Sequence, residues 1–154
     1  MQNASVIASA MPAGRQEAKQ SFIMTTSIKV LLADDEPSVL EIMAKKVAQA
    51  GFTVSTATDG IKAWAAIVRD NPDVIVLDLT MPGMDGWEVL EKLRKTPPSS
   101  KWQPVIIVSA LNEIANVRKG LDMEADHYLT KPCRIEDILK AIRLMAGLIP
   151  QRNR

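Results

Sequence analysis

From Ile28 onward, apolar residues fall into two alternating patterns, short unbroken runs and longer stretches with an apolar residue every three or four positions. The short runs predict strands over 28–33, 52–57, 74–77, 105–108 and 125–130. The spaced stretches predict helices over 37–50, 60–70, 86–95, 112–121 and 134–148, each following a strand. Punctuation supports the boundaries. Pro37 stands in the first turn of the first helix and Gly51 just past its end, Asp59 precedes the second as a capping residue, and Asp85-Gly86-Trp87-Glu88 has the spacing of a capping box. Asn71-Pro72 ends the second helix and Lys131-Pro132 the last strand.

Five strand-helix units predict an α/β fold, a doubly wound five-stranded parallel sheet with right-handed crossovers and helices on both faces. The runs at 28–33, 74–77 and 105–108 are nearly uniform in apolar character, as central parallel strands are. The second run alternates and the fifth is interrupted by Asp126 and His127, so both read as edges. The order 2-1-3-4-5 satisfies this, and its topological switch point falls between strands 1 and 3. The crevice there is predicted to be lined by Asp34, Asp35, Glu36 and Asp78.

Carboxylates converging on one crevice repel each other, and a bound cation relieves the repulsion. An all-oxygen donor set without His or Cys favours a hard cation. Few protein ligands, with a backbone carbonyl near Thr80, suit Mg2+ better than a Ca2+ cage. Ser109 and Lys131, at the ends of strands 4 and 5, bring a hydroxyl and an ammonium to the same edge. Together these groups form a site for a phosphoryl group.

Composition narrows the picture. The chain has 154 residues, enough for one domain, and 19 basic against 18 acidic residues give a net charge of +1, without the basic excess of a nucleic-acid-binding surface. Its single cysteine, Cys133, makes no intrachain disulfide and fits a reducing cytoplasm. Residues 1–27 lack periodicity and read as a disordered extension without a signal peptide, with Met24 as a candidate start. Residues 28–148 form the domain and 149–154 a short tail. His127 reads as a solvated edge residue, Cys133 as a small semi-buried one, and Trp64, Trp87 and Trp102 as packing residues.

Residues 28–148 resemble the response-regulator receiver domain of two-component signalling, a flavodoxin-like fold. The resemblance rests on Asp34-Asp35, on Asp78 with Met81-Pro82-Gly83-Met84-Asp85-Gly86 behind it, on Ser109-Ala110, and on Tyr128-Leu129-Thr130-Lys131-Pro132. It implies that Asp78 is the phosphoacceptor, that Asp35 ligates Mg2+ and Asp34 does so directly or through water. Ser109 and Lys131 would contact the phosphoryl group, Ser109 and Tyr128 would form the switch, and the Lys131-Pro132 bond would be cis. Thr80 and Leu111 occupy positions that tune phosphoryl lifetime in the family. Two departures stand out: Cys133 where Phe is common, and Met123-Glu124-Ala125 in place of Ala-Gly-Ala.

The expected function is a stand-alone phosphorylation switch of the cytoplasm, a phosphorelay phosphoprotein rather than an enzyme. A histidine kinase or phosphotransfer protein would supply the phosphoryl group. The sequence ends six residues after the last predicted helix, read as leaving no DNA-binding output domain. The expected partners are therefore proteins, met through the helix 4, strand 5, helix 5 surface by a monomer or phosphorylation-dependent dimer, with neither nucleic acid nor membrane bound directly. A phosphorylation-independent pseudo-receiver scaffold is the alternative. A flavodoxin-type cofactor module is disfavoured because Asp34-Asp35-Glu36 would repel a phosphate, and a haloacid-dehalogenase-type phosphatase because Thr80 stands where a second Asp is needed.

Overall fold

The computed structural model describes residues 27–110 and 114–152. The chain runs β1 (Lys29–Ala33), α1 (Pro37–Gln49), β2 (Thr53–Ala57), α2 (Gly60–Asp70), β3 (Val74–Leu77), α3 (Gly86–Lys95), β4 (Val105–Ser109), α4 (Ile114–Asp122), β5 (His127–Thr130) and α5 (Ile135–Arg152). The strands form one parallel sheet in the order β2-β1-β3-β4-β5. The predicted order thus holds, with the alternating and interrupted strands at the edges.

The alternation of side chains along each strand divides the core in two. Val30, Leu32, Val74, Val76, Ile106 and Val108 face α1 and α5 and meet Leu40, Met43, Val47, Ile138, Ile142 and Met145. Leu31, Ile75, Leu77 and Ile107 face the other way, against Ala63 and Ile67 of α2 and Val89, Leu90 and Leu93 of α3. Each fully buried Leu or Ile contributes about 1.5–3 kcal/mol. α4 joins the second face through Gly120, where a Cβ would sit 3.4 Å from the Tyr128 ring and 3.5 Å from that of Trp87. Trp64 and Trp87 pack on this face and Trp102 on the other.

Both predicted caps form: Asp59 accepts from the Lys62 N–H at 2.7 Å and Asp85 from the Glu88 N–H at 2.9 Å. Two boundaries need correction. α5 continues to Arg152 instead of ending at 148, so the proposed tail from 149 is largely helical. Ile149 is buried against the α1 and α5 core, which keeps this last turn packed. β5 begins at His127 rather than 125, because Asp126 turns its carboxylate back onto the Val105 N–H at 2.8 Å. The expected disorder over the N-terminal extension, the Met24 start, Leu111, and helix 4 over 112–113 lie outside the described residues. Among those described, no helix is long and apolar enough to cross a membrane.

Candidate functional site

The register of the sheet assembles the site. Ala33 pairs with Leu77, so the residues that follow them, Asp34 and Asp78, leave adjacent strand ends together. The ladder continues past the strands: the Asp34 N–H donates to the Ala57 carbonyl at 3.1 Å and the Asp78 N–H to the Ala33 carbonyl at 3.0 Å. On the other side Ser109 pairs with Thr130, and the Lys131 N–H donates to the Ser109 carbonyl at 2.8 Å. Residues far apart in sequence are thereby lined along one edge.

Asp34 and Asp78 are buried, at 2% and 5% exposure, which would be costly for carboxylates without partners. Each has both oxygens bonded. Asp34 Oδ1 accepts from the Glu36 N–H at 2.9 Å and Asp78 Oδ1 from the Thr80 N–H at 3.0 Å, the same two-residue Asx turn closing both strands. Their Oδ2 atoms share the Lys131 ammonium, at 2.8 Å and 2.9 Å. The Lys131-Pro132 peptide bond is cis, as the resemblance implies.

Burial pushes the Asp78 carboxyl above its ordinary range, although the Thr80 N–H and Lys131 pull the other way. Burial opposes the charge on Lys131, but hydrogen bonds to Asp34 and Asp78 outweigh it and raise its pKa above the usual lysine value. Asp35 is exposed, and one oxygen each from Asp34, Asp35 and Asp78 lie within 4.8 Å of one another. Three carboxylates against one ammonium leave an excess of two negative charges, and every donor is a hard oxygen. That set fits a divalent hard cation such as Mg2+.

The other predicted residues fall around this centre. Ser109 is fully buried at the end of β4. Thr80 is exposed, and its amide is the group bonded to Asp78. Glu36 is the exposed N-cap residue that precedes α1 and is not part of the carboxylate cluster. Tyr128 is half-buried on the face of the sheet shared with α2 and α3, while Leu129 and Cys133 face α1 and α5. Burial raises the Cys133 thiol, with Asp137 adding to the effect. Beside Lys131 an apolar cleft of about 580 Å³ opens between α1 and α5, lined among others by Ile42, Met43, Pro132 and Ile138.

Sequence reasoning missed the group that ties down the opposite end of the sheet. The Arg94 guanidinium donates to the carbonyls of Glu124 at 3.1 Å and Gln103 at 3.0 Å and to Asp126 at 2.8 Å. Asp126 and Arg94 lie in different units, with no periodicity linking them; the only signal was a charge interrupting the approach to β5.

Comparison with known proteins agrees with this architecture. The response regulator receiver domain matches residues 30–143. The chain is 37% identical over 117 residues to the DNA-binding dual master transcriptional regulator RpaA of Synechocystis sp., covering 76% of this chain and 48% of that protein. It is 34% identical over 128 residues to the transcriptional regulatory protein TcrA of Mycobacterium tuberculosis, covering 82% and 49%. Among solved structures, the receiver domain of the Francisella response regulator 1452 is 35% identical with a TM-score of 0.73, over 83% of this chain and 100% of that one. The chemotaxis response regulator CheY4 of Vibrio cholerae is 29% identical with a TM-score of 0.71, over 78% and 99%.

The chain spans about half the length of the curated relatives it matches. This corrects the expectation that nucleic acid is not a direct partner. RpaA is a DNA-binding regulator, and the balanced charge of a receiver carries no information about a segment outside the matched half.

Proposed function

The chain belongs to the response regulator receiver domain family, and from that premise we propose that it is a Mg2+-dependent phosphoacceptor switch whose acceptor is Asp78. The observation that carries the reading is the shared Lys131 ammonium, held at 2.8 Å from Asp34 and 2.9 Å from Asp78 at the mouth of the crevice. A histidine kinase or phosphotransfer protein is the donor. In the transfer an Asp78 carboxylate oxygen attacks phosphorus, the bond from phosphorus to the donor imidazole nitrogen breaks, and the nitrogen takes up a proton as an acyl phosphate forms. The chain is the acceptor in this reaction and not a turnover enzyme, beyond promoting its own phosphorylation and hydrolysis.

Asp34, Asp35, Asp78 and the Thr80 carbonyl would hold Mg2+, which offsets charge on the transferring phosphoryl group. Asp78 Oδ1 is fixed by the Thr80 amide, so the carboxylate is oriented before any donor arrives. Lys131 follows the charge as it moves from carboxylate to phosphoryl oxygen, and the Ser109 hydroxyl donates to another of those oxygens. Ser109 and Tyr128 lie on neighbouring strands, which supports their acting together when Ser109 is drawn inward and alters affinity for a downstream partner. The apolar cleft beside Lys131 gives a protein donor a surface to rest on while it reaches Asp78.

Labelling with acetyl phosphate and Mg2+, followed by intact-mass analysis, tests the proposal. Wild type is expected to gain one hydroxylamine-sensitive phosphoryl group, and Asp78→Asn none. An equal label in Asp78→Asn sinks the assignment.

A further inference from the structure

The turn between β2 and α2 contributes no side chain to the carboxylate cluster, yet it touches the site from two sides. At its start the Ala57 carbonyl accepts the Asp34 N–H at 3.1 Å. Three residues on, buried Gly60 opens α2 directly against Met84 in the loop after β3. A Cβ at Gly60 would lie 1.6 Å from the Met84 carbonyl oxygen and 2.5 Å from its carbon. Gly60 has no positive φ, so what the position requires is space rather than a special backbone conformation. The next residue extends the contact: the Ile61 Cδ1 lies 3.2 Å from where a Cβ on Gly83 would stand.

The segment so pressed is the one that orients the acceptor. Residues 79–85 include Thr80, whose amide holds Asp78 Oδ1, and the loop closes where the Gly86 N–H donates to the Leu79 carbonyl at 3.0 Å. At that closure a Cβ on Gly86 would come within 2.2 Å of the Asp78 carbonyl oxygen. The loop therefore has little freedom at either end. Real Cβ contacts stay beyond 3.0 Å, so alanine at position 60, whose Cβ would stand 1.6 Å from the Met84 carbonyl oxygen, requires the turn and the Met84 backbone to separate by about 1.4 Å. Functional constellations tolerate displacements of about 0.5 Å.

We infer that the β2–α2 turn is a positioning element for the Asp78 site and that Gly60 is its positioning residue, fixing the loop that carries Thr80 relative to Asp34 and Asp78. The inference rests on the phosphoacceptor reading above. On this inference an edge unit of the sheet, remote from the chemistry by residue type, governs cation and phosphoryl binding through the loop it presses.

The test uses the full chain, with Mg2+ binding measured by titration calorimetry and acetyl phosphate labelling measured at saturating Mg2+. Gly60→Ala is expected to weaken Mg2+ binding about tenfold or more, as loss of outer-shell support does elsewhere, and to slow labelling. Ile61→Ala, at an exposed position that leaves folding intact, shifts both in the same direction by less. Val68→Ala, equally exposed on α2 but away from the loop, and the core variant Ile142→Val leave Mg2+ affinity at wild type whatever they do to stability. Wild-type affinity and labelling in a folded Gly60→Ala protein overturn the inference. Should that variant fail to fold, wild-type behaviour of Ile61→Ala overturns it instead. Wild-type protein that neither binds Mg2+ nor accepts phosphate removes the phosphoacceptor reading, and this inference with it.

Discussion

Glu124 has a φ of +63°, in the left-handed region that glycine occupies freely and a side chain enters at a cost. It is also the middle residue of the Met123-Glu124-Ala125 departure from the family pattern, so the place where the sequence differs is the place where the backbone is strained. Among the described residues its exposed side chain makes no hydrogen bond or ion pair, and the bond it provides, from Arg94 Nε to its carbonyl, belongs to the main chain. Glu124→Gly should therefore stabilise the protein. The left-handed conformation costs a non-glycine residue about 1–2 kcal/mol, and the extra freedom of glycine in the unfolded chain takes back roughly 0.5–1 kcal/mol. A gain of roughly 0.5–1 kcal/mol is expected, read as a higher urea midpoint at unchanged slope. A lower midpoint would show that Glu124 makes a contribution its contacts do not reveal.

At the scale of elements, the features legible in the sequence were those set by local chemistry. α2 and α3 begin where Asp59 and Asp85 cap them, and uniform apolar character separated β1, β3 and β4 at the centre from the alternating β2 and the interrupted β5 at the edges. Asp34, Asp78, Ser109 and Lys131 were legible as a group because strand order alone brings their positions to one edge. What could not be read was how elements lean on each other. The end of α5 depends on Ile149 finding the core, and the start of β5 on Asp126 finding Val105 and Arg94. Arg94 is the clearest case, an apparent surface charge on α3 that holds two loops by three bonds. Its side chain and that of Asp126 are 17% and 20% exposed, so truncation takes a guanidinium away from a largely buried carboxylate and from two loop carbonyls. Arg94→Ala should cost about 2–4 kcal/mol in denaturant unfolding. Because Arg94 sits at the sheet end opposite Asp78, acetyl phosphate labelling of the folded variant should match wild type, and a matching loss of labelling would place the two ends in one cooperative unit.

Across the whole molecule the two ends of the sheet are treated differently. At one end Arg94 and Asp126 pair, as do Lys101 and Asp73 at 2.5 Å, so charge is matched there. At the other, Lys131 serves two buried carboxylates with a third beside them, and an excess of negative charge is kept. The fold supports this unbalanced end because the core beneath it is apolar on both faces of the sheet, and the imbalance is what a cation can relieve. Stability should record it. Asp78 has a raised carboxyl pKa through burial, so between the ordinary carboxylate range and that raised value the folded protein holds more protons than the unfolded chain. Ionised Asp78 therefore opposes folding at neutral pH, and its penalty fades as pH falls through the raised value. In a metal chelator, Asp78→Asn should melt above wild type at pH 7, with the gap closing as pH falls through the raised value and gone below the ordinary carboxylate range. Mg2+ should act in the opposite sense. At a hundredfold excess over its dissociation constant a ligand specific to the folded state adds about 2.7 kcal/mol, so wild type should gain several degrees while Asp78→Asn gains less. A chelated Asp78→Asn protein that melts below wild type at pH 7 would mean that the Lys131 pair outweighs the burial of Asp78, and that no charge is held in reserve for a cation.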